Sequence, residues 1–547
     1  MSEFELLALL AVAVSVAALA RRYGWPMPLV LVGVGLAVSF VPVVPHYAID
    51  PHLLLDLILP PLLYSAALSS SYTDLRRSLN SISRLGIGLV LVSAAAVALV
   101  AVWLVPNLPF AAALLLGAVV APPDAVAAAA VGRRLHLPRR VMTLLTGESL
   151  INDATSLTLY KVALAGVATG TWSFGQGLRV FAVAVLIGVS AGLAIGWGVH
   201  VARLHLDDPV VASAIGLATP FAAYWIAEDL GGSGVLAVVA AGLYLGHSAP
   251  EAGYATRLYE EPLWSTFDLI LESFTFALIG LQLKWVIAEV QRAPDQGMGR
   301  AVLAAAAVLA VAIAVRPLYV FATTRFDHLR FRGSHRPVHD DLTRRESGVV
   351  SWAGMRGVVT LAAAAGIPLI AAGAGFPHRA TLQFIAYAVA IGTLLLQGMT
   401  LPWVIRRAGI GSADDDARDA AQEATLRLAT TRAASAAIEQ RESTLAAQLG
   451  EEQAASIIRK LSRGVLEGGA AAAALLDPSR TEGAPAPLSA ESGRRILRFR
   501  REIVAAQRGV LMRSRDAGEV DEVVMRRMLR ELDLEEESMS ASWLDRI

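Results

Sequence analysis

Apolar stretches of bilayer-crossing length recur through the first three quarters of this 547-residue chain, and no other feature restricts its fold as much. A bilayer's hydrocarbon core is crossed by roughly 20 apolar helical residues. Such stretches stand at residues 3–20, 25–45, 51–68, 85–105, 108–131, 141–168, 178–203, 208–227, 234–249, 262–287, 299–323, 346–373 and 379–405. Lipid offers no partner to a backbone amide or carbonyl, so each crossing must satisfy its own, which helices do. The expectation is an all-α polytopic membrane protein with about thirteen transmembrane helices. Its mean hydropathy of +0.54 exceeds what a soluble core needs. The first stretch has no basic residue before it and no small-residue cleavage pattern, so it reads as a retained span rather than a signal peptide.

Arginines orient these spans, because basic loops stay on the cytoplasmic side. Arg21, Arg22, Arg76, Arg77, Arg84, Arg133, Arg134, Arg139, Arg140, Arg203, Arg257 and six arginines between 325 and 345 follow odd-numbered spans. The opposite loops offer Arg292, Arg300 and Arg379. This places the amino terminus outside and the carboxyl tail inside a multi-pass protein of the plasma membrane. Hydropathy collapses after Ile405, giving a membrane domain over 1–410 and a charged, helix-prone cytoplasmic tail over 411–547. An Ala-, Gly- and Pro-rich piece at 468–489 divides the tail. The tail reads as a solvated helical appendage, with regulation or self-association as the other readings, and its partner is not legible. Cysteine is absent and acidic and basic residues balance at 47 each, so there is no disulfide framework, no nucleic-acid footprint and nothing that calls for a cofactor.

Within this apolar background, Gly147-Glu148-Ser149-Leu150-Ile151-Asn152-Asp153-Ala154 puts two carboxylates and an amide in mid-helix. A charged side chain at the bilayer centre costs roughly 2.5–3.5 kcal/mol on insertion scales, so a membrane helix carries one only against a partner or a pathway. Glu148 and Asn152 are four apart, as are Ser149 and Asp153, which makes two adjacent polar rows on one side of the helix. The preceding span holds Pro122 and Pro123 just before Asp124. Proline supplies no amide and clashes with the previous turn, so this span breaks at mid-depth, as in transporters that build ion sites from interrupted helices. Asp124 and Asp153 lie about 9 and about 13 residues from the nearest basic loop, roughly 13–20 Å deep, and can meet near the midplane.

Asp153 therefore reads as an ion or proton site, and Asp124 as a second ligand or a satisfier of the exposed helix ends. Glu148 needs a buried cation beside it. Arg316 is favoured as its structural partner, and Arg356 is left to balance Asp124 or the twelfth span, where Gly354, Gly357, Gly366 and Pro368 form a second interruption. The two interrupted spans would correspond if spans one to six and eight to thirteen were inverted repeats. Lys161 is expected to snorkel outward. Asp56, Asp268 and Glu272 suit hydrogen bonding within the bundle as well as a cation route, and Pro60-Pro61 a kink in the third span.

These residues resemble a known family. The Gly147–Ala154 stretch, Pro122-Pro123-Asp124-Ala125-Val126, Leu59-Pro60-Pro61-Leu62-Leu63-Tyr64, Arg316-Pro317 and Trp352-Ala353-Gly354-Met355-Arg356-Gly357 are similar to sodium/proton antiporters of the NhaP and NHE type, over about residues 1–410. The resemblance implies thirteen helices in a homodimer, with a six-helix core moving against a dimerisation domain, and no enzymatic activity. It implies that Asp153 carries cation or proton, that Asn152 is its neighbour, that Asp124, Ser149 and the broken-helix backbone help coordinate a monovalent cation, and that Glu148 and Arg316 are the structural pair. One departure is Pro123, where many members have threonine.

The expected activity is exchange of Na+ (or Li+) for H+, serving sodium transport and pH homeostasis. Asp153 would bind one or the other and the core would move when loaded. Asn152 beside it, in place of a second carboxylate, suggests electroneutral exchange. K+/H+ antiport is the alternative within the class; a cation channel or sensor and an intramembrane aspartyl enzyme are rivals outside it. The chain has neither a Gly-x-Gly-Asp nor a His-Glu-x-x-His pattern, which weighs against the enzyme.

Overall fold

The computed structural model describes residues 3–41, 53–170, 174–206, 208–292, 297–330, 342–371, 373–411, 413–449, 455, 458 and 490–540. The 468–489 piece, Arg332 and Arg336, and the junction of the second and third stretches at 42–52 lie outside them. Helices α1 (Glu3–Tyr23) and α2 (Met27–Ser39) are followed by a π-helical turn (Leu53–Ile58) that leads into α3 (Leu59–Ser69). After the short α4 (Tyr72–Arg77) and α5 (Leu79–Ser83), a second π turn (Arg84–Leu89) opens α6 (Val90–Leu104). The fifth stretch is two helices, α7 (Phe110–Val120) and α8 (Ala125–Arg134). Then come α9 (Arg139–Thr169), α10 (Phe174–Leu204), α11 (Pro209–Asp229), α12 (Gly234–Ser248), α13 (Tyr254–Arg292) and α14 (Met298–Arg330). The twelfth stretch is again divided, into α15 (Arg344–Trp352) and α16 (Val358–Ala365), and a two-residue hairpin, β1 (Ile370–Ala371) and β2 (Ala374–Gly375), follows it. The last stretch is α17 (Arg379–Thr393), a π segment (Leu394–Gly398) and α18 (Met399–Ala408).

Each of the thirteen apolar stretches contains helix among its described residues, with breaks in the fifth and twelfth. Among the described residues, six are long and apolar enough to cross a membrane unaided: Leu79–Leu104, Gly177–Leu204, Pro209–Asp229, Tyr254–Arg292, Met298–Arg325 and Arg379–Ala408. Of the other stretches, those of α2, α3 and α12 are shorter, those of α7–α8 and α15–α16 are interrupted, and α9 carries Glu148, Asp153 and Lys161.

Local chemistry sets several boundaries. Asp208 caps α11 by accepting from the amides of Val210 (2.8 Å) and Val211 (3.4 Å), with Pro209 at the first helical position, where no amide is needed. Thr343 and Glu346 form a reciprocal capping box at the start of α15. Gly170 ends α9 at φ 65°, a left-handed cap that a residue with a Cβ adopts only with strain.

Contact density divides the chain into two units, Met1–Ala249 with Glu260–Ser412, and Pro250–Tyr259 with Ala413–Ile547. In the first, α3, α10, α11 and α12 pack together, while α7 is surrounded by α6, α9, α16 and α17. All residues of α7 from Ala111 to Val120 are buried, which is why its sequence is apolar on every face. Small residues let it approach its neighbour closely: a Cβ on Gly117 would lie 3.0 Å from the Ala94 Cα of α6. In the second unit, α19 (Ala413–Leu449), α20 (Ala490–Asp516) and α21 (Glu522–Ser540) bury Leu426, Val504, Leu511, Val524, Met525 and Leu529 against one another. This unit takes in Pro250–Tyr259, a segment that hydropathy assigned to the membrane domain.

Candidate functional site

The two interrupted helices meet at their breaks, and the first break follows from proline's missing amide. The last regular bond of α7 is Ala121 N to Gly117 O, at 2.9 Å. In an unbroken helix Ala118 O would accept from residue 122 and Val120 O from residue 124. Pro122 has no proton to give, and Asp124 N turns instead to Met355 O of the second break, at 2.5 Å. Carbonyls are therefore freed in the interior, and side chains recapture three of them. Ser156 Oγ donates to Ala118 O (2.7 Å), Arg356 Nε to Val120 O (2.9 Å) and Asn152 Nδ2 to Pro123 O (2.9 Å). Each such bond replaces a desolvation cost of about 1–3 kcal/mol for an orphaned buried carbonyl.

The second break is fitted to the first. Arg356 also donates to Ala312 O of α14 (3.2 Å) and to Gly354 O, and its amide donates to Thr393 Oγ1 (3.0 Å). The Arg356 guanidinium thus sits on three backbone carbonyls, one of them, Val120 O, at the carboxyl end of α7, where the helix dipole is negative. Gly357 precedes α16, and a Cβ there would run into the Asp124 carboxylate. The Asp124 side chain accordingly lies at the amino-terminal end of α16, where exposed amides favour an anion.

On α9, Glu148 is 1% exposed, Asn152 0% and Asp153 5%. Glu148 receives two bonds from Arg316 of α14: Nη2 donates to Oε2 at 2.7 Å and Nη1 to Oε1. Arg316 Nε donates to Val350 O of α15 (2.8 Å), so the pair also ties α9 and α14 to the second interrupted helix. Asp153 makes no hydrogen bond or ion pair among the described residues. The charges that act on it are those of Asp124 and Glu148. Asn152 Oδ1 is buried with no hydrogen-bond partner among the described residues. Half-buried Ser149 lies one turn before Asp153 on α9 and makes no hydrogen bond among those residues.

The arrangement therefore brings Asp124, Asn152, Asp153, Pro122, Pro123 and Arg356 to one crossing, with Glu148 and Arg316 as a bidentate pair beside it. Ser156 and Thr393 belong to the crossing and were passed over in the sequence. Ser156 continues the row of Glu148 and Asn152 by four more residues, a signal that carboxylates overshadowed. Lys161 does not reach outward alone; it forms an ion pair with Glu228 of α11. Asp56 accepts from Tyr224 Oη (3.1 Å) and Asp268 from Ser65 Oγ (2.6 Å), both within the bundle. Among the described residues, no three acidic, histidine or cysteine side chains group to hold a metal ion. What the crossing offers is the Asp124 and Asp153 carboxylates, an amide oxygen and broken-helix backbone.

Comparison with known proteins agrees with this architecture. Residues 8–407 match the family described as "Sodium/hydrogen exchanger, transmembrane". An uncharacterised Na+/H+ exchanger of Mycobacterium tuberculosis is 35% identical over 92% of this chain and 90% of its own length. The Na+/H+ antiporter ApNhaP of Aphanothece halophytica is 30% identical over 66% of each chain. Among solved structures, the sodium proton antiporter MjNhaP1 of Methanocaldococcus jannaschii shares the fold, with a TM-score of 0.58 and 20% identity over 74% of this chain and 97% of that one.

Proposed function

Since the chain belongs to the sodium/hydrogen exchanger family and is a membrane transporter, not an enzyme, we propose that it exchanges Na+ (or Li+) for H+ by competition at Asp153. The observation that carries this reading is the state of that carboxylate. It is nearly buried, lacks any hydrogen bond or ion pair among the described residues, and adjoins an amide oxygen that is likewise unpartnered. An ionised carboxylate so placed lacks compensation. A proton or a monovalent cation supplies it, and one site holds one of them at a time. Asp124, Ser149 and the backbone of the Pro122-Pro123 break would complete the cation's ligands, with Asn152 holding the break in shape through Pro123 O.

A single exchanged charge at Asp153 implies electroneutral exchange. The same reading takes the membrane unit as thirteen crossings built from two inverted repeats, paired in a homodimer in the plasma membrane, with the amino terminus outside and α19–α21 in the cytoplasm. Potassium is the second candidate cargo: a relative from Bacillus subtilis, 31% identical over 47% of this chain and 39% of its own length, is a sodium, potassium, lithium and rubidium/H+ antiporter.

The test is exchange in proteoliposomes with Na+, Li+ and K+ in turn. Cation gradients are expected to drive saturable proton movement in the wild type and none in Asp153→Asn. Undiminished exchange in that variant, or flux that behaves as a conductance without counter-transport, refutes the assignment.

A further inference from the structure

A second row on α9 starts at Asp153 and runs toward the end of the helix remote from Arg139 and Arg140. Asp153, Leu157 and Lys161 follow at steps of four, so they stand one above the next on one side, each about 6 Å further along the axis. Leu157 is 6% exposed, between the buried carboxylate and the partly exposed Lys161. Along this side of α9, the way from Asp153 to solvent is closed first by an apolar side chain and then by an ammonium.

The ammonium is held. Lys161 Nζ donates to both carboxylate oxygens of Glu228, near the end of α11. Glu228 in turn belongs to a tight corner: its Oε1 accepts from the Gly234 amide at the start of α12 (2.8 Å). The turn between the two helices passes through Gly231 at φ 76°, a conformation glycine adopts freely. Ser233 N donates to Ala184 O of α10 (2.9 Å), and a Cβ on Gly234 would lie 2.7 Å from the Tyr224 ring. The corner is therefore fixed to the group formed by α3, α10, α11 and α12.

Other interhelical bonds of α9 point away from that group. Glu148 pairs with Arg316 of α14, Asn152 and Ser156 donate to Pro123 O and Ala118 O, and Tyr160 Oη donates to Gly366 O just after α16 (2.7 Å). These are buried and costly to part. Toward the corner, Thr158 Oγ1 reaches Ser233 Oγ only at 3.5 Å, and the Lys161 and Glu228 side chains are 42% and 29% exposed. An ion pair so open to solvent contributes little to stability and is readily exchanged for water. When α9 and the interrupted helices shift against the α10–α12 group, this is the polar contact that can give way.

We infer that Lys161 and Glu228 form a latch: paired, they keep Leu157 seated and close the route from Asp153 to the solution on that face, and parted, they let it open. The closure is argued from geometry, whereas its consequence for transport rests on the antiport proposed above. Both are positioning residues, since they act on Asp153 through the placement of α9.

The chain has no cysteine, so Leu157→Cys supplies a single thiol that a membrane-impermeant reagent can probe from either face of sealed vesicles. Adding Lys161→Met, which removes the charge and keeps most of the stem, should speed labelling several-fold from the face at which Lys161→Cys itself labels. Lys161→Arg should restore the slow rate. Labelling no faster with Lys161→Met than without it, absent labelling included, overturns the latch, as does labelling equally fast with Lys161→Arg. In a second arm, Lys161→Cys with Glu228→Cys is bridged by a short, reducible bifunctional thiol reagent in proteoliposomes of the full chain. Exchange should fall at least tenfold against the same variant untreated, and reduction should restore it. A bridged chain that exchanges as fast as before, or failure to bridge while both cysteines label singly, overturns the latch. A wild-type chain with no exchange at all refutes the antiport reading, and the labelling arm still decides whether the contact closes the route.

Discussion

Replacing Arg316 by methionine preserves much of the buried stem and deletes the guanidinium that Glu148 and the Val350 carbonyl share. Breaking a buried ion pair from one side costs about 3–5 kcal/mol, and leaving a buried carbonyl without its donor costs about 1–3 kcal/mol more. Such terms overlap at neighbouring atoms, so their lower sum, about 4 kcal/mol, is the expected loss, nearly a thousandfold in the folding equilibrium. Glu148→Leu alone leaves Arg316 charged and buried at 2% exposure, and should lose about 3–5 kcal/mol. The two together remove both charges. Apolar groups in place of a buried pair are neutral or better, so the double variant should lie within about 1–3 kcal/mol of wild type, the remainder being the Val350 carbonyl. Urea unfolding in detergent, followed by tryptophan fluorescence across the four proteins, gives the coupling energy directly. A double variant destabilised by the sum of the singles would show that the two side chains do not act as a unit. Because the pair is read as structural, the double variant should also retain cation-driven proton flux.

Two further outcomes follow from the structure. Gly357→Ala drives a methyl into the Asp124 carboxylate at the crossing; overpacking of this kind costs about 1–3 kcal/mol, and because Asp124 must move, cation affinity measured from the half-saturating Na+ concentration should weaken while Gly348→Ala, with open space around it, changes little. In the tail, the hydrogen bond from Arg427, with Arg527 adding to it, holds the Glu423 carboxyl below its ordinary range. A depressed carboxyl contributes stability above its unfolded value and loses it as pH falls through the folded one. The protection of α19 amides near Glu423, corrected for the intrinsic pH dependence of exchange, should therefore fall on acidification below the ordinary carboxylate range, and Glu423→Gln should flatten that response.

The positions of the helices were legible because lipid permits few alternatives: a long apolar stretch must be helix, and Pro122-Pro123 must break one. Gly354 and Gly357 marked the second break for a related reason, since backbone passes so near the Arg316 side chain at the first and Asp124 at the second only without a side chain. The partners of the buried charges were harder to see. Arg356 was left to balance Asp124 or the broken twelfth span; its donors go to the Val120, Ala312 and Gly354 carbonyls, the last in that span, and a carbonyl leaves no letter in the sequence. Lys161 finds Glu228 on a helix 67 residues further on, a pairing fixed by helix packing and not by spacing. The π turns before α3, α6 and α18 have no compositional mark. Pro250–Tyr259 is legible as the loop between the ninth and tenth stretches, but the pairing of its Arg257 with Asp533, 276 residues further on, leaves no mark in the sequence.

The row on α9 has an implication for how this chain can vary. Glu148, Asn152 and Ser156 reach three separate targets, the Arg316 side chain and the Pro123 and Ala118 carbonyls, from steps of four residues each. Inserting one residue between any two of them would swing everything beyond by about 100° and advance it about 1.5 Å, so a single extra codon would misdirect what several point changes would leave aligned. The segment works as a ruler whose divisions are counted in residues: letters along it can be exchanged, but its length is fixed.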